Sequence, residues 1–183
     1  TGVLGVALGN ATNVDHWQDI LALLMLQNGT DMSRPGSTIG SDGKNLGADA
    51  LDFYTLFSKT YKIWDENLPS STQAFATGRL ALYFGPSWQA FEFAKNPNLR
   101  FATVPTPKLA DVETYYASYW AEGVAEKSPN KDQAWEFLQF LVQKENLQKF
   151  YEAQAKTRLF GEIPSRVDMA AQFASAPVVS TVL

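Results

Sequence analysis

The 183-residue sequence contains no cysteine. Disulfides, thiolate metal sites and cysteine nucleophiles are excluded with it. There is a single histidine, His16, so histidine-rich metal sites and paired imidazoles are excluded as well. Positive charge is scarce. Lys and Arg number 15 against 19 Asp and Glu, a net charge of −4, and without a basic run the chain does not read as a nucleic-acid binder. Long apolar runs are missing too: the longest, Ile20 to Leu26, is seven residues, against the ~20 that span a bilayer. Charged residues make up 19% and apolar residues 45%, which excludes a disordered chain. At ~100–200 residues per domain, the length suits one domain or pieces of two. The apolar stretch from Gly2 to Gly9 (GVLGVALG) follows no basic segment and precedes no cleavage pattern. It does not read as a signal peptide, and the chain reads as a segment of a longer protein.

Aromatic residues are what the sequence has in plenty: five Trp, seven Tyr and twelve Phe, 13% of the chain. Helical spacing of Trp17, Ile20, Leu21, Leu24 and Met25 predicts a helix from about Val14 to Asn28, with Asn13 as its N-cap. A long loop rich in Gly, Ser and Thr follows from Thr30 to Gly47. The next helix is predicted from about Ala48 to Lys62, with Ala50, Phe53, Phe57 and Tyr61 on one face. Ser70 and Gln73 make a capping box for a short third helix. Leu80 to Phe84 reads as a strand, and Gly85-Pro86-Ser87-Trp88 turns it into another helix. Leu99 to Val104 and Tyr115 to Ala125 are strand candidates. Helices are predicted after Asn130, with Phe137, Leu138 and Val142 inward, then from Lys144 to Lys156, and after Val167. Many helices with a few short strands mean an α/β or α+β fold.

Catalytic signatures are weak. Ser87 lacks the second glycine of a hydrolase elbow, because Gln89 stands there. His16 sits in the first turn of its helix beside charged neighbours, the place of a surface or capping histidine. No Walker or dinucleotide glycine motif occurs, and the loop at Asp42-Gly43 lacks the calcium pattern. Two triplets, Asn10-Ala11-Thr12 and Asn28-Gly29-Thr30, match the glycosylation pattern, which arises readily by chance. No cofactor and no metal site is read from the sequence.

Binding has better support. Trp88 stands at a strand-to-helix turn, where backbone N–H groups can hold an anion or a hydroxyl and an indole offers a flat apolar wall. The plainer reading makes Trp88 a core residue. Tyr115, Tyr116, Tyr119 and Trp120 cluster within six positions. On a strand, Tyr116 and Trp120 share one face and Tyr115 and Tyr119 the other. Such a strand is buried on both faces, or opens one of them on a cleft. Arg166 after Ile163-Pro164-Ser165 suits a clamp on a carboxylate or sugar hydroxyl, or a plain surface position.

In their order these segments resemble the extracellular solute-binding proteins of ABC importers, the family-1 or maltose-binding-protein-like group. The matching stretches are WQDILALLMLQNGT (Trp17 to Thr30), FATGRLALYFGPSW (Phe75 to Trp88) and NPNLRFATVPTP (Asn96 to Pro107). YWAEGVAEKSPNKDQAWEF (Tyr119 to Phe137) and IPSR (Ile163 to Arg166) follow. The resemblance implies an α/β, periplasmic-binding-protein-like fold of type II, mostly its second lobe. Residues 1–106 would form that lobe, 107–156 the hinge crossing and a return segment of the first lobe, and 157–183 the second lobe again. The first half of the family pattern is absent. It implies a chain that binds a carbohydrate or similar small solute between two hinged lobes and hands it to a membrane ABC permease, without catalysis or cofactor. Ser87, Trp88, Tyr116, Tyr119, Trp120, Gly123 and Arg166 would line the ligand site. The protein would be exported to the periplasm or the outer face of the cytoplasmic membrane, lipid-anchored or not. Two other readings stand beside it. One is a carbohydrate-active enzyme domain using two of Asp111, Glu122 and Glu126. The other is a structural or interaction domain whose aromatics are all core.

Overall fold

In the computed structural model, which describes residues 2–109, 113–176 and 178–182, the apolar segment near the start is a strand. This strand, β1 (Leu4–Val6), pairs in parallel with β2 (Leu80–Leu82), Leu4 opposite Leu80 and Val6 opposite Leu82. Parallel partners need a crossover. Here α1 (Trp17–Gln27), α2 (Leu46–Lys59) and α3 (Ser71–Ala76) lie in it, and α4 (Gln89–Phe93) follows β2. Gly9 leaves β1 at φ +109, and a Cβ there would stand 2.5 Å from the Ser58 backbone nitrogen of α2. Only glycine allows that approach.

The described residues fall into two compact units. The first runs to Phe101 and includes Pro105–Ala117; the second takes Ala102–Val104 and the residues from Ser118 onward. In the first, Ala7, Leu8, Val14, Ile20, Tyr54, Trp64, Ala74 and Leu80 form the core, with Leu21, Leu24 and Phe57 packed against it. A second aromatic group joins Phe75, Tyr83, Phe93 and Phe101, with Phe75 and Phe93 ring centres 4.7 Å apart. The second unit contains α5 (Lys131–Leu141), α6 (Lys144–Ala155), a 3-10 turn (Val167–Met169), α7 (Ala170–Phe173) and a last 3-10 turn (Val179–Thr181). Met169, Val179, Phe160 and Phe173 are buried there, and Tyr151 meets Phe173 with centroids 4.3 Å apart.

Several expectations are corrected. Asn13 is not the cap of α1, which begins at Trp17 after His16. Its side chain turns inward instead, because a buried indole needs an acceptor there: Trp64 Nε1 donates to Asn13 Oδ1 at 2.7 Å. Ser70 does cap α3, accepting from the Gln73 N–H at 3.3 Å. Asn130 precedes α5 without a side-chain cap bond. On α2 the buried line is Gly47, Ala50 and Tyr54, while Phe53 and Tyr61 are exposed. On α5, Phe137 and Val142 are exposed rather than inward, and Ala134, Leu138 and Leu141 form the half-buried face. Leu99 to Val104 and Tyr115 to Ala125 form no strand. A strand is defined by its ladder, and β propensity without a partner leaves the segment irregular.

Candidate functional site

The turn after β2 does what Gly85-Pro86-Ser87 suggests: it ends the strand and starts a short helix. Phe93 anchors α4 in the aromatic group with Phe75 and Tyr83. Trp88 sits at the first turn, outside that group, and its side of the turn faces solvent: the residue is 44% exposed. Trp88 is therefore not a core residue. Ser87 is half-buried beside it. The amides expected to point outward are already used. The N–H groups of Gln89, Ala90 and Phe91 donate to the carbonyls of Pro86, Ser87 and Trp88 at 3.1–3.2 Å. The turn therefore presents an indole face more than an anion cradle.

Trp88 has a neighbour that the sequence does not announce. The His16 ring stands edge-on to the indole, with centroids 6.3 Å apart and planes at 80°. His16 Nε2 lies 3.1 Å from Gln89 Nε2, and Nδ1 lies 3.5 Å from Asp19 Oδ2. Nothing in the local pattern around residue 16 points to residue 88; only the fold joins them. Beneath this corner, Asp15 ties α1 to α3. Its Oδ2 accepts from the Thr72 N–H at 2.9 Å, and its own N–H donates to Ser71 Oγ at 2.8 Å. Burial pushes the Asp15 carboxyl up, but the Thr72 side chain and N–H, with Ser70 and Ser71, outweigh it and hold it below the usual carboxylate value.

The other named residues stand as follows. Tyr116, in the first unit, is 43% exposed, and neighbouring Tyr115 donates its hydroxyl to Glu113 at 3.4 Å. In the second unit Tyr119 is 81% and Trp120 97% exposed, and Gly123 has open space where a Cβ would be. Trp120 is not core either, so the reading in which all the aromatics are packed inside is not met. Arg166 faces Asp168, Nε and Nη2 each 2.9 Å from a carboxylate oxygen, with Nη1 on the Val142 carbonyl at 3.4 Å. Its fork is occupied by its own neighbour. That pairing holds the Asp168 carboxyl low and raises the guanidinium. Of the carboxylates named for an enzyme, Glu126 is paired with Lys131 at 3.0 Å, Glu122 is exposed, and Asp111 lies outside the described residues. Asn28 Nδ2 donates to the Leu46 carbonyl at 2.8 Å, so its amide is engaged in the fold. Among the described residues, no group of three or more His, Asp or Glu side chains is arranged to hold a metal ion, and no helix is long and apolar enough to cross a membrane.

Residues 6–180 match the family described as bacterial extracellular solute-binding protein. The chain belongs to this family. No curated protein matches it. Among solved structures, the fold is similar to that of an ABC transporter solute-binding protein from Thermotoga lettingae TMO bound with α-D-tagatose. The TM-score is 0.56 at 20% identity, over 93% of this chain and 43% of that one. The chain thus spans less than half the length of this neighbour. The likeness establishes an α/β, periplasmic-binding-protein-like fold, as the order of motifs predicts. For this solute-binding protein, the half-exposed indole of Trp88 is a placement that needs a reason. A tryptophan loses solvent contact readily wherever packing offers it, and the aromatic group formed by Phe75, Tyr83, Phe93 and Phe101 is fastened by the same short helix.

Proposed function

We propose that the protein is the solute-binding component of an ABC import system and that its solute is a carbohydrate or a closely similar polyol. Family membership supports solute binding. The single observation that carries the carbohydrate reading is Trp88, an indole left 44% exposed on a turn whose fold is otherwise secured. Sugars present C–H faces that stack on such rings, while their hydroxyls find fixed polar partners nearby. The tagatose bound by the structural neighbour is of the same chemical class. Exposed Tyr116, Tyr119 and Trp120, with Ser87, Gly123 and Arg166, are the remaining proposed ligand contacts. On this reading residues 1–106 contribute to one lobe of the whole protein. Its two lobes close on the solute because the closed state is bound more tightly, and a membrane permease receives it outside the cytoplasm.

A thermal-shift screen of the full-length protein against monosaccharides including D-tagatose, disaccharides, polyols and amino acids tests this. A ligand that binds only the folded state raises Tm. At least one sugar or polyol is expected to do so. Stabilisation by amino acids alone, or by nothing in the screen, refutes the carbohydrate reading.

A further inference from the structure

We propose that His16 is a positioning residue for the Trp88 indole. The inference rests on the reading of Trp88 as a sugar platform and adds what holds that platform still.

The first observation is backbone conformation. His16 has φ 60 and ψ 25, in the left-handed region, at the residue that starts α1. Side chains with a Cβ enter that region at a cost, and glycine or asparagine is the usual occupant. A capping role does not explain a histidine here, because its side chain makes no cap bond to α1. The second observation is where the ring goes. The side chain is only 26% exposed and both ring nitrogens have partners: Asp19 on its own helix and Gln89 on α4. The Asp19 carboxylate lies against Nδ1 and the Gln89 amide against Nε2. Two partners on opposite sides fix the ring plane. That plane stands edge-on to Trp88, the residue directly before Gln89.

An indole at an exposed tip has several rotamers open to it, and ordering it on binding costs free energy. A fixed aromatic edge against one side removes that freedom beforehand, which is preorganisation of a contact residue by a second residue. The remaining carboxylates nearby are occupied elsewhere: Asp15 with Ser71 and Thr72, and Glu92 of α4 with Lys95. The strained histidine therefore serves the Asp19–His16–Gln89 chain, and through its ring the indole.

The test uses the full-length protein and two readouts. In proton–nitrogen correlation spectra, the indole N–H signal lost in Trp88→Phe is that of Trp88. His16→Gly is expected to move this signal, leave that of Trp64 in place, and leave Tm unchanged or higher, since glycine accepts the backbone conformation freely. Calorimetry with D-tagatose, or with the sugar giving the largest thermal shift, is expected to show a Kd raised roughly fivefold. His16→Asn, which also tolerates the left-handed conformation, is expected to behave the same way. A Trp88 signal that stays put in both variants overturns the inference. So does a fall in Tm with displacement of the Trp64 signal in both, which would make His16 a general structural residue. A moved Trp88 signal with unchanged affinity overturns the positioning role but leaves the platform standing, provided Trp88→Ala weakens binding. Unchanged affinity in Trp88→Ala overturns the platform and the inference together.

Discussion

Gln27 Nε2, near the end of α1, donates to the carbonyl of Pro107 at 3.2 Å, across 80 residues of sequence. The same nitrogen reaches the Thr114 carbonyl at 3.2 Å, and Oε1 accepts from the Leu109 N–H at 3.3 Å. Gln27 is only 4% exposed. One side-chain amide thus spends both donors and its acceptor on Pro107, Leu109 and Thr114, none of which lies in a helix or strand. Gln27→Leu keeps the bulk and removes the bonds. It should cost about 1–3 kcal/mol, the usual penalty for stranding buried polar groups. Urea denaturation gives the stability, and limited proteolysis should show faster cleavage around Pro107 to Thr114. Unchanged values for both would mean that the segment is held by something else.

Asn13 links the parts of the first unit in a similar way. Besides accepting from Trp64, its Nδ2 donates to the carbonyls of Asp65 and Leu68 at 2.9 and 2.8 Å, and its carbonyl receives the Ser71 N–H at 2.8 Å. Asn13→Ala removes the partners of the Trp64 N–H and the Leu68 carbonyl, while the Asp65 carbonyl keeps the Leu68 N–H at 3.1 Å, a loss of roughly 2 kcal/mol. Asn13→Asp retains the acceptor for Trp64 but sets a carboxylate oxygen against the Asp65 and Leu68 carbonyls, so thermal melts near neutral pH should show it destabilised as well. An unchanged Tm in either variant would count against the role given to this amide.

Trp88 and Trp120 separate a binding contribution from a stability contribution. Trp120 is 97% exposed and Trp88 only 44%, so Trp120→Ala should change Tm little and Trp88→Ala should lower it through the buried part of its ring. Trp88→Ala should weaken sugar binding by at least ~1 kcal/mol, the scale of an aromatic contact. Calorimetry on the two variants in the full-length protein measures each contribution. An unaltered isotherm for Trp88→Ala removes it from the site.

Tyr54 predicts an alkaline limit. Its hydroxyl donates to the Asn10 carbonyl at 2.8 Å, and burial pushes its pKa from 10.0 up to about 12. A raised folded-state pKa contributes stability that is complete below the unfolded value and is lost as pH rises through the folded one. Stability should therefore fall between about pH 10 and 12, and Tyr54→Phe should flatten part of that fall. Parallel slopes for both proteins would contradict the assignment.

Asp15 predicts the acid side, with the opposite sign. Its carboxyl is held below 3.8, so its contribution is present above that value and disappears as pH drops through the depressed one. Asp15→Asn should be less stable than the parent near neutrality, and the gap should close as the pH falls below about 4. Denaturation at several pH values between 2.5 and 6, chosen to bracket the usual carboxylate range, gives the curve.

Much of the local structure was legible because it is decided locally. The Ser70 cap, the periodicity of α1 and the Gly-Pro-Ser turn before α4 each depend on a few neighbouring residues, and the structure shows them, although the return bond from the Gln73 side chain that would complete the capping box is not made. Even there the buried stripe of α1 is Ile20, Leu23 and Gln27, because one helix pattern fits several facing surfaces and the neighbour selects among them. Strands were less legible. Leu99 to Val104 has the composition of a strand and no ladder, while the glycine-rich stretch around Leu4 pairs with β2. Hydrogen-bond partners distant in sequence settle that, and propensity does not contain them.

The order of motifs carried the family and the α/β class, since spacing of turns, caps and apolar residues survives in a linear string. The prominence of Trp88 was visible there too, because a glycine-proline-serine turn places the next side chain at a tip. Its exposure, its histidine neighbour and the grip of Gln27 on Pro107 were decided only in three dimensions. Each depends on a distance or an orientation between groups whose separation along the chain says nothing about their separation in space.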